Sequence, residues 1–205
     1  MVGDLPEVIE QEQDGLPRPT PVNVPVTING RIFPREDIDV WTFEAMAGTS
    51  YVCRVVAEQI GSPLDSRLEI RDPHGRTIAE NVDGNGRDSY VRFLAAEGGR
   101  HEVRIHDVNF DGLRHFVYRL TITDQPYIEH VFPLGGQQGT TLPLKLFGQR
   151  LDEQPLEVCI PQTTSGLWRH QVSVGAAGLP THSCWTCPMS PSGSRWNPTT
   201  TMTMR

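Results

Sequence analysis

The sequence predicts an all-β protein, in which a jelly-roll-like antiparallel β-sandwich is followed by a shorter immunoglobulin-like β segment and a disordered C-terminal tail. Between residues 24 and 123, short runs alternate apolar with polar residues, which is the period of half-buried strands. Turn signals rich in Gly, Asp, Asn and Pro separate these runs. No segment carries a sustained apolar stripe at the 3.6-residue period of a helix.

About eight strands are expected in this region. They are VPVTINGRI, DVWTFEA, SYVCRVVAEQ, SRLEIRD, RTIAE, SYVRFLA, HEVRIHD and HFVYRLTIT. Their regular spacing favours one antiparallel sandwich of roughly 100 residues. Trp41, Phe43 and Tyr51 alternate along two of these strands, so we expect them to face the core.

The chain divides into four predicted segments. Residues 1–23 hold an acidic cluster and then a Pro-rich run, which predicts an extended lead-in linker. Residues 24–125 form the predicted sandwich, 126–180 the shorter β domain and 181–205 the tail.

Composition excludes several classes of partner. The formal net charge is -7 and only one of 18 basic residues is Lys, so no basic patch is dense enough for nucleic acid. No apolar run is long enough to insert into a membrane. The N-terminus is acidic where a signal peptide would be basic and then apolar, so we expect no export signal in this chain. Its four cysteines make no recognisable disulfide framework.

No catalytic motif is convincing. His101 and His106 superficially resemble a zinc-peptidase pair, but that chemistry needs two His at i and i+4 on one helical face. Their spacing on a strand points them to opposite faces, so we interpret them as edge or surface residues. No G-x-S-x-G occurs, and the prediction is that the chain is not an enzyme.

Three segments of the sandwich region together resemble a known family. They are DIDVWTFEAMAGTSYVCRVVA, SPLDSRLEIRDPHGRTIAEN and GGRHEVRIHDVNFDGLRHFVYRLTI. Their order and spacing are similar to the bacterial pre-peptidase C-terminal domain over residues 10–123. The resemblance implies a jelly-roll-like sandwich without catalytic residues, used as an accessory module of secreted proteins that is often attached to peptidases.

A second resemblance begins after Thr123. The stretch DQPYIEHVFPLGGQQGTTLPLKLFGQRL resembles the start of an immunoglobulin-like IPT/TIG domain. Pro126 would lie at the linker, and Gly135, Gly136 and Gly139 would form the first turn. Fewer residues remain than such domains usually have, so an incomplete or variant sandwich is expected.

An acidic cluster in the lead-in is the candidate metal site. Glu10, Glu12 and Asp14 alternate in an extended segment and therefore share one face, which suits a hard cation such as calcium. Some domains similar to this family bind calcium with E-x-E-x-N-D in the lead-in, joined by acidic residues ahead of the D-x-D-x-[WY] strand, here Asp37 and Asp39. This sequence departs from that pattern at Gln13 and Gly15. The alternative is a solvated acidic linker, with Asp37 and Asp39 making turn hydrogen bonds.

Two further acidic stretches are interpreted as plain turns. Residues 83–88, DGNGRD, resemble half of a calcium loop but lack its bidentate Glu. The same holds for residues 107–112, DVNFDG.

The tail contains Cys184-Trp185-Thr186-Cys187, a C-x-x-C that suggests a redox or zinc site. From residue 181 onward, however, there is no Val, Ile, Leu, Phe, Tyr, Asp or Glu. Back-translation of SCWTCPMSPSGSRW with GC-rich codons, read in a shifted frame, gives LLDLPDVAEREPVE, which is similar to DLPEVIEQE at residues 4–12. The hypothesis is a frameshift that makes the C-x-x-C accidental; a redox site or half of a zinc site remains the alternative.

The shifted frame also suggests a repeating unit, in which the lead-in begins again after the second domain. We therefore expect a non-catalytic extracellular module that spaces, anchors or binds, within a larger secreted or surface protein. Its expected partners are neighbouring repeats and an unidentified polysaccharide or protein at the cell surface. The alternative is the accessory C-terminal portion of a secreted peptidase whose catalytic domain lies outside this chain.

Overall fold

The computed structural model describes residues 5–11, 18–84, 86–151, 155–162, 171–174, 180–182 and 200–203. It divides the chain into two compact units, with the division between Asp124 and Gln125. Within the described residues, all regular structure is strand apart from one 3-10 turn at Glu58–Ile60. The predicted all-β class is confirmed.

The described part of the first unit contains ten strands. They are β1 (Glu7–Ile9), β2 (Thr20–Pro21), β3 (Val26–Arg31), β4 (Asp39–Ala45), β5 (Ser50–Val56), β6 (Ser66–Arg71), β7 (Thr77–Asn81), β8 (Tyr90–Leu94), β9 (Gly99–Asp107) and β10 (Val117–Thr123). β3 to β10 coincide with the eight strands that hydrophobic alternation predicts.

These strands form two five-stranded sheets. The first sheet has the order β1-β3-β10-β5-β8, and the second has the order β2-β4-β9-β6-β7. All pairings among β3 to β10 are antiparallel, whereas β1 runs parallel to β3 and β2 runs parallel to β4. Sequence neighbours such as β3 and β4 lie in different sheets, so the chain crosses repeatedly between the two layers.

The core lies between the two sheets. Trp41 and Phe43 from one sheet and Tyr51 from the other are each no more than 3% exposed, as their alternation predicts. They belong to one apolar cluster that draws on both sheets, together with Ile28 and Tyr118. Alternation of apolar residues turns one face of a strand toward this core, as in β6, whereas β4 and β5 are buried on most of both faces.

The lead-in differs from the predicted linker, because it supplies an edge strand to each sheet. Val8 of β1 and Val22, just after β2, pack against the core cluster. A Pro-rich run is compatible with this position, since an edge strand has a side on which no ladder hydrogen bond is needed. Alternation over three residues or fewer is too short a pattern to reveal such strands.

Among its described residues, the second unit has six strands in two three-stranded sheets. The first sheet comprises β11 (Tyr127–Phe132), β12 (Thr141–Gln149) and β13 (Leu156–Cys159). The second comprises β14 (Gln171–Val174), β15 (Pro180–His182) and β16 (Thr200–Thr203), with β14 in the centre. All their pairings are antiparallel, and a small apolar cluster includes Ile128, Leu144 and Val158.

Two of these short strands, β15 and β16, lie at least partly in the segment for which the sequence predicts disorder. The β-branched threonines at 200, 201 and 203 favour an extended backbone. Cys184 and Cys187 lie outside the described residues, and so does the rest of the segment from 183 to 199. The frameshift hypothesis therefore stays a prediction. Among the residues that the structure describes, no helix has the length and apolar character needed to span a membrane.

Candidate functional site

A chain of buried polar side chains crosses the interior of the first unit. Tyr118 on β10 donates its hydroxyl hydrogen to Asp39 Oδ2 on β4, with an O···O distance of 2.7 Å. The Trp41 indole N–H donates to the same Tyr118 oxygen at 3.0 Å. Tyr118 is 1% exposed and Asp39 is 8% exposed, so these bonds form in an environment of low dielectric.

The lead-in brings a second carboxyl group to this chain. Glu10 follows β1, and its backbone N–H donates to the Asn29 carbonyl at 2.9 Å. The Glu10 Oε2 accepts from the Arg31 backbone N–H at 2.8 Å, which fixes its side chain beside β3. The same carboxyl is hydrogen-bonded to Asp39. The end of β1 and the start of β4 therefore hold two carboxyl groups in direct contact.

This contact changes the chemistry of Asp39. Burial raises the pKa of Asp39 to about 10, helped by the hydrogen bond with Glu10 and by the charges of Glu10 and Asp37. The hydrogen bond from Tyr118 opposes the rise but does not cancel it. Burial and the neighbouring Asp39 also raise the pKa of the Tyr118 hydroxyl well above its usual value. Near neutral pH the Glu10 and Asp39 pair therefore holds a proton, or it requires another cation between its oxygens.

Asp37 contributes charge from a turn. Its Oδ2 accepts a hydrogen bond from the Phe33 backbone N–H at 3.0 Å, which is the turn role that the sequence offers as the alternative to metal binding. Its charge nevertheless raises the pKa of Asp39. Asp37 thus acts on the pair electrostatically while its side chain stabilises the turn ahead of β4.

The structure brings together part of the predicted calcium set. Glu10 and Asp39 touch and Asp37 is close, whereas Glu12 and Asp14 lie outside the described residues. Two carboxylates in contact supply the oxygen ligands that calcium prefers, so the donor chemistry fits. Across the described part of the chain, however, no three Asp, Glu, His or Cys side chains are arranged to hold a metal ion. The described residues therefore place two of the five predicted ligands, Glu10 and Asp39, in contact, and calcium binding stays a prediction.

A second network ties the lead-in to the sheet. Arg119 on β10 donates to Glu7 Oε1 and to Asn29 Oδ1, both at 2.8 Å, and Asn29 Nδ2 donates to Glu7 Oε2 at 3.0 Å. The hydrogen bonds from Arg119 and Asn29 lower the pKa of Glu7. Three adjacent strands, β1, β3 and β10, are thereby cross-linked on their outer face. Glu10 is held in place partly because β1 is anchored here.

The two histidines of the candidate pair are buried against aromatic rings. His101 is 1% exposed and packs against the rings of Phe43 and Phe93. His106 is 6% exposed and stacks on Phe110, with ring centroids 4.6 Å apart. The two side chains occupy different surroundings, as alternation along β9 predicts. The interpretation as edge or surface residues is wrong, because β9 is central in its sheet and the loop after it covers His106.

The carboxylates of the two acidic turns accept hydrogen bonds from backbone N–H groups. Asp107 Oδ1 accepts from the N–H groups of Asn109 and Asp111, at 2.9 and 3.2 Å, so residues 107–112 form the predicted turn. Asp88 Oδ1 accepts from the N–H groups of Ala57 and Glu58. Asn85, in the same predicted turn as Asp88, lies outside the described residues.

Tyr118 is the site residue that sequence reasoning missed. Its place in the Y-x-L pattern of β10 is visible in the sequence, but an aromatic residue at such a position is ordinarily interpreted as part of the hydrophobic core. Its bond to Asp39 spans 79 positions of the chain, and no local pattern signals a contact of that range.

Comparisons with known proteins find similarity over part of the chain. No protein-family model matches the chain. A probable subtilase-type serine protease of Deinococcus radiodurans is 35% identical over 74 residues, which are 36% of this chain. The match spans 10% of the length of that relative.

Two solved structures are similar to part of this chain. The pre-peptidase C-terminal domain of a Bacillus anthracis collagenase is 17% identical, with a TM-score of 0.43, and the match covers 54% of this chain and all of that domain. PliG, a periplasmic inhibitor of g-type lysozyme from Aeromonas hydrophila, is 16% identical with a TM-score of 0.42, over 57% of this chain and 97% of that one. The first is a domain of the family that the sequence motifs resemble. The IPT/TIG resemblance of the second unit is not confirmed and stays a prediction.

Proposed function

We propose that this chain is a non-catalytic β-sandwich module of a larger secreted or surface protein, which spaces, anchors or binds there. The observation that carries the proposal is the incorporation of the lead-in into both sheets, because it fixes the direction in which a preceding segment enters the sandwich. A module whose N-terminal segment is held in a fixed orientation is suited to an array of neighbouring repeats. An unidentified polysaccharide or protein at the cell surface is its proposed ligand.

Calcium at the lead-in is the second part of the proposal. Glu10 and Asp39 would hold the ion, with Glu12, Asp14 and Asp37 as the further acidic groups that the sequence places near it. A divalent cation would replace the proton that the pair otherwise keeps, and it would supply electrostatic cross-linking between β1 and β4. Its role would be structural, since it would fasten the lead-in to the body of the sandwich.

Calorimetry with millimolar calcium and with chelator tests this second part. An ion that binds only the native state stabilises that state by RT ln(1 + [Ca]/Kd). We therefore expect calcium to raise the melting temperature of the first unit. Glu10→Gln should abolish the rise. Glu44→Gln, an exposed carboxylate on β4, is the matched control and should keep it. A calcium effect that survives Glu10→Gln would exclude the proposed ligands.

An accessory role in a secreted peptidase is the second candidate. The identity to a probable subtilase-type serine protease supports it, although the match spans a tenth of that relative. Sequencing the genomic DNA on both sides of the coding region distinguishes the two. A peptidase domain in a continuous reading frame favours the accessory role, whereas further copies of the lead-in favour the repeat array.

A further inference from the structure

An exposed phenylalanine covers a buried histidine at the end of β9. The rings of Phe110 and His106 stack in parallel, with centroids 4.6 Å apart and an angle of 8° between their planes. Phe110 is 45% exposed whereas His106 is buried, so the Phe110 ring lies on the solvent side of the stack. The imidazole occupies one face of this ring, and the opposite face is therefore turned to solvent. We call that opposite face the Phe110 platform.

The backbone at Phe110 is held in a conformation that a bulky residue rarely adopts. Its φ angle is 57°, in the left-handed region that Gly or Asn occupies at lower cost. The Phe110 N–H donates to the Asp107 carbonyl, and the Phe110 carbonyl accepts from the Glu36 N–H, both at 2.9 Å. The Asp107 carboxylate also accepts from the N–H groups of Asn109 and Asp111, on either side of the ring. The platform is therefore preorganised at a strained position, as is common at ligand-binding sites.

An ion pair lies beside the Phe110 platform. Arg35 Nη2 and Asp111 Oδ1 are 2.7 Å apart, and both side chains are exposed. Asp111 follows Phe110 in the chain, and Arg35 precedes Glu36, whose N–H bonds to the Phe110 carbonyl. The ion pair uses one of the several N–H donors of the guanidinium and one oxygen of the carboxylate. The remaining donors and acceptors lie next to an aromatic face that is open to solvent.

We propose that the Phe110 platform binds a neutral β-1,4-linked glucan chain. A glucosyl ring with equatorial hydroxyl groups has faces made of C–H groups, and these apolar faces pack on an aromatic ring. Each hydroxyl group on its rim can both donate and accept a hydrogen bond, which suits the neighbouring Arg35 and Asp111. Because these two side chains neutralise each other, they favour an uncharged sugar.

An extended peptide fits this surface less well than a glucan does. β9 lies between β4 and β6 in its sheet, so the platform has no open edge of β9 beside it to which peptide groups could bond. The inference rests on the binding role proposed above, for which it specifies the class of ligand and the site. It does not require calcium.

The test is a titration of the intact chain with cellohexaose, followed by saturation-transfer NMR. We expect binding in the millimolar range, with the strongest transfer to the C–H protons of the sugar rings. Phe110→Asn should weaken binding about three- to tenfold, because it removes the aromatic contact. Asn tolerates the left-handed region, so this variant keeps the loop conformation. Phe110→Trp presents a larger ring and should bind at least as tightly as the wild type.

Two further variants test the polar half of the site and its location. Arg35→Gln should weaken binding about two- to tenfold, as for the loss of one hydrogen bond. Phe132→Ala removes an exposed phenylalanine of β11, in the second unit, and is the matched control that should leave binding unchanged. Melting curves of each variant establish that it is folded.

Three results would overturn the proposal. They are absent binding of cellohexaose, equal affinity of the wild type and Phe110→Asn, and tighter Phe110-dependent binding of the peptide LPRPTPVNVP, whose proline rings also pack on aromatic faces. The last result would assign the platform to a protein partner. None of them would alter the calcium-dependent melting temperature or the arrangement of the gene, which test the module proposed above, so the two failures are distinguishable.

Discussion

Tyr118 and Asp39 are joined by a 2.7 Å hydrogen bond that runs from one sheet of the sandwich to the other. The Trp41 indole completes the same chain, and Glu10 of the lead-in reaches Asp39 from the end of β1. A single buried tyrosine thus connects the core to the contacting carboxyl groups of Glu10 and Asp39. Four predictions concern this connection and the fold around it.

Tyr118→Phe should destabilise the protein by about 1–3 kcal/mol, because it leaves the Trp41 N–H and an Asp39 oxygen buried without their partner. Urea unfolding monitored by fluorescence measures the loss. Tyr51→Phe is the matched control, since its hydroxyl accepts one bond, from the Met46 backbone N–H, in a partly buried setting. Equal losses in the two variants would contradict a special role for Tyr118.

In the absence of calcium, the contribution of Asp39 to the free energy of unfolding should fall as the pH rises. Its pKa is about 10 in the folded protein and about 3.9 in an unfolded chain, so the folded state binds the extra proton between these values. The contribution is complete below pH 4 and declines toward pH 10, by at most about 1.4 kcal/mol per pH unit.

Asp39→Asn isolates this effect, because it keeps the shape of the side chain and removes its titration. Unfolding free energies in chelator between pH 5 and 9 should decrease more steeply with pH for the wild type than for this variant. Parallel curves for the two proteins would show that Asp39 does not retain its proton.

Gly112→Ala should destabilise the first unit by about 1–3 kcal/mol through overpacking. A Cβ at Gly112 would collide with the Pro34 carbonyl oxygen, and backbone cannot move aside as a side chain can. Gly98→Ala is the control, because its Cβ would lie 3.4 Å from the Ala45 oxygen, near ordinary contact. Thermal unfolding of both variants decides between steric conflict and a general loss on replacing glycine.

A fragment ending at Asp124 should fold cooperatively. The core cluster of the first unit draws all its residues from positions before 124, and the cluster of the second unit draws its residues from positions after 127. Calorimetry of the fragment should show a single transition with the calcium response of the intact chain. A fragment that unfolds gradually would mean that the first unit depends on the second.

The sequence alone determined the all-β class, the positions of β3 to β10 and the burial of Trp41, Phe43 and Tyr51. All three depend on period-two alternation, which is a local pattern written along each strand. The turn at residues 107–112 followed equally from local chemistry, since Asp107 bonds to N–H groups two and four positions away.

Only the tertiary structure decided that the lead-in joins the sheets and that Glu10 touches Asp39. These contacts unite residues far apart in sequence, and β1 is too short to carry a readable pattern. The raised pKa of Asp39 likewise depends on burial by both sheets and on a neighbouring carboxyl group. The sequence could name Glu10 and Asp39 as acidic candidates, but their shared environment exists only after the two sheets have closed around Tyr118.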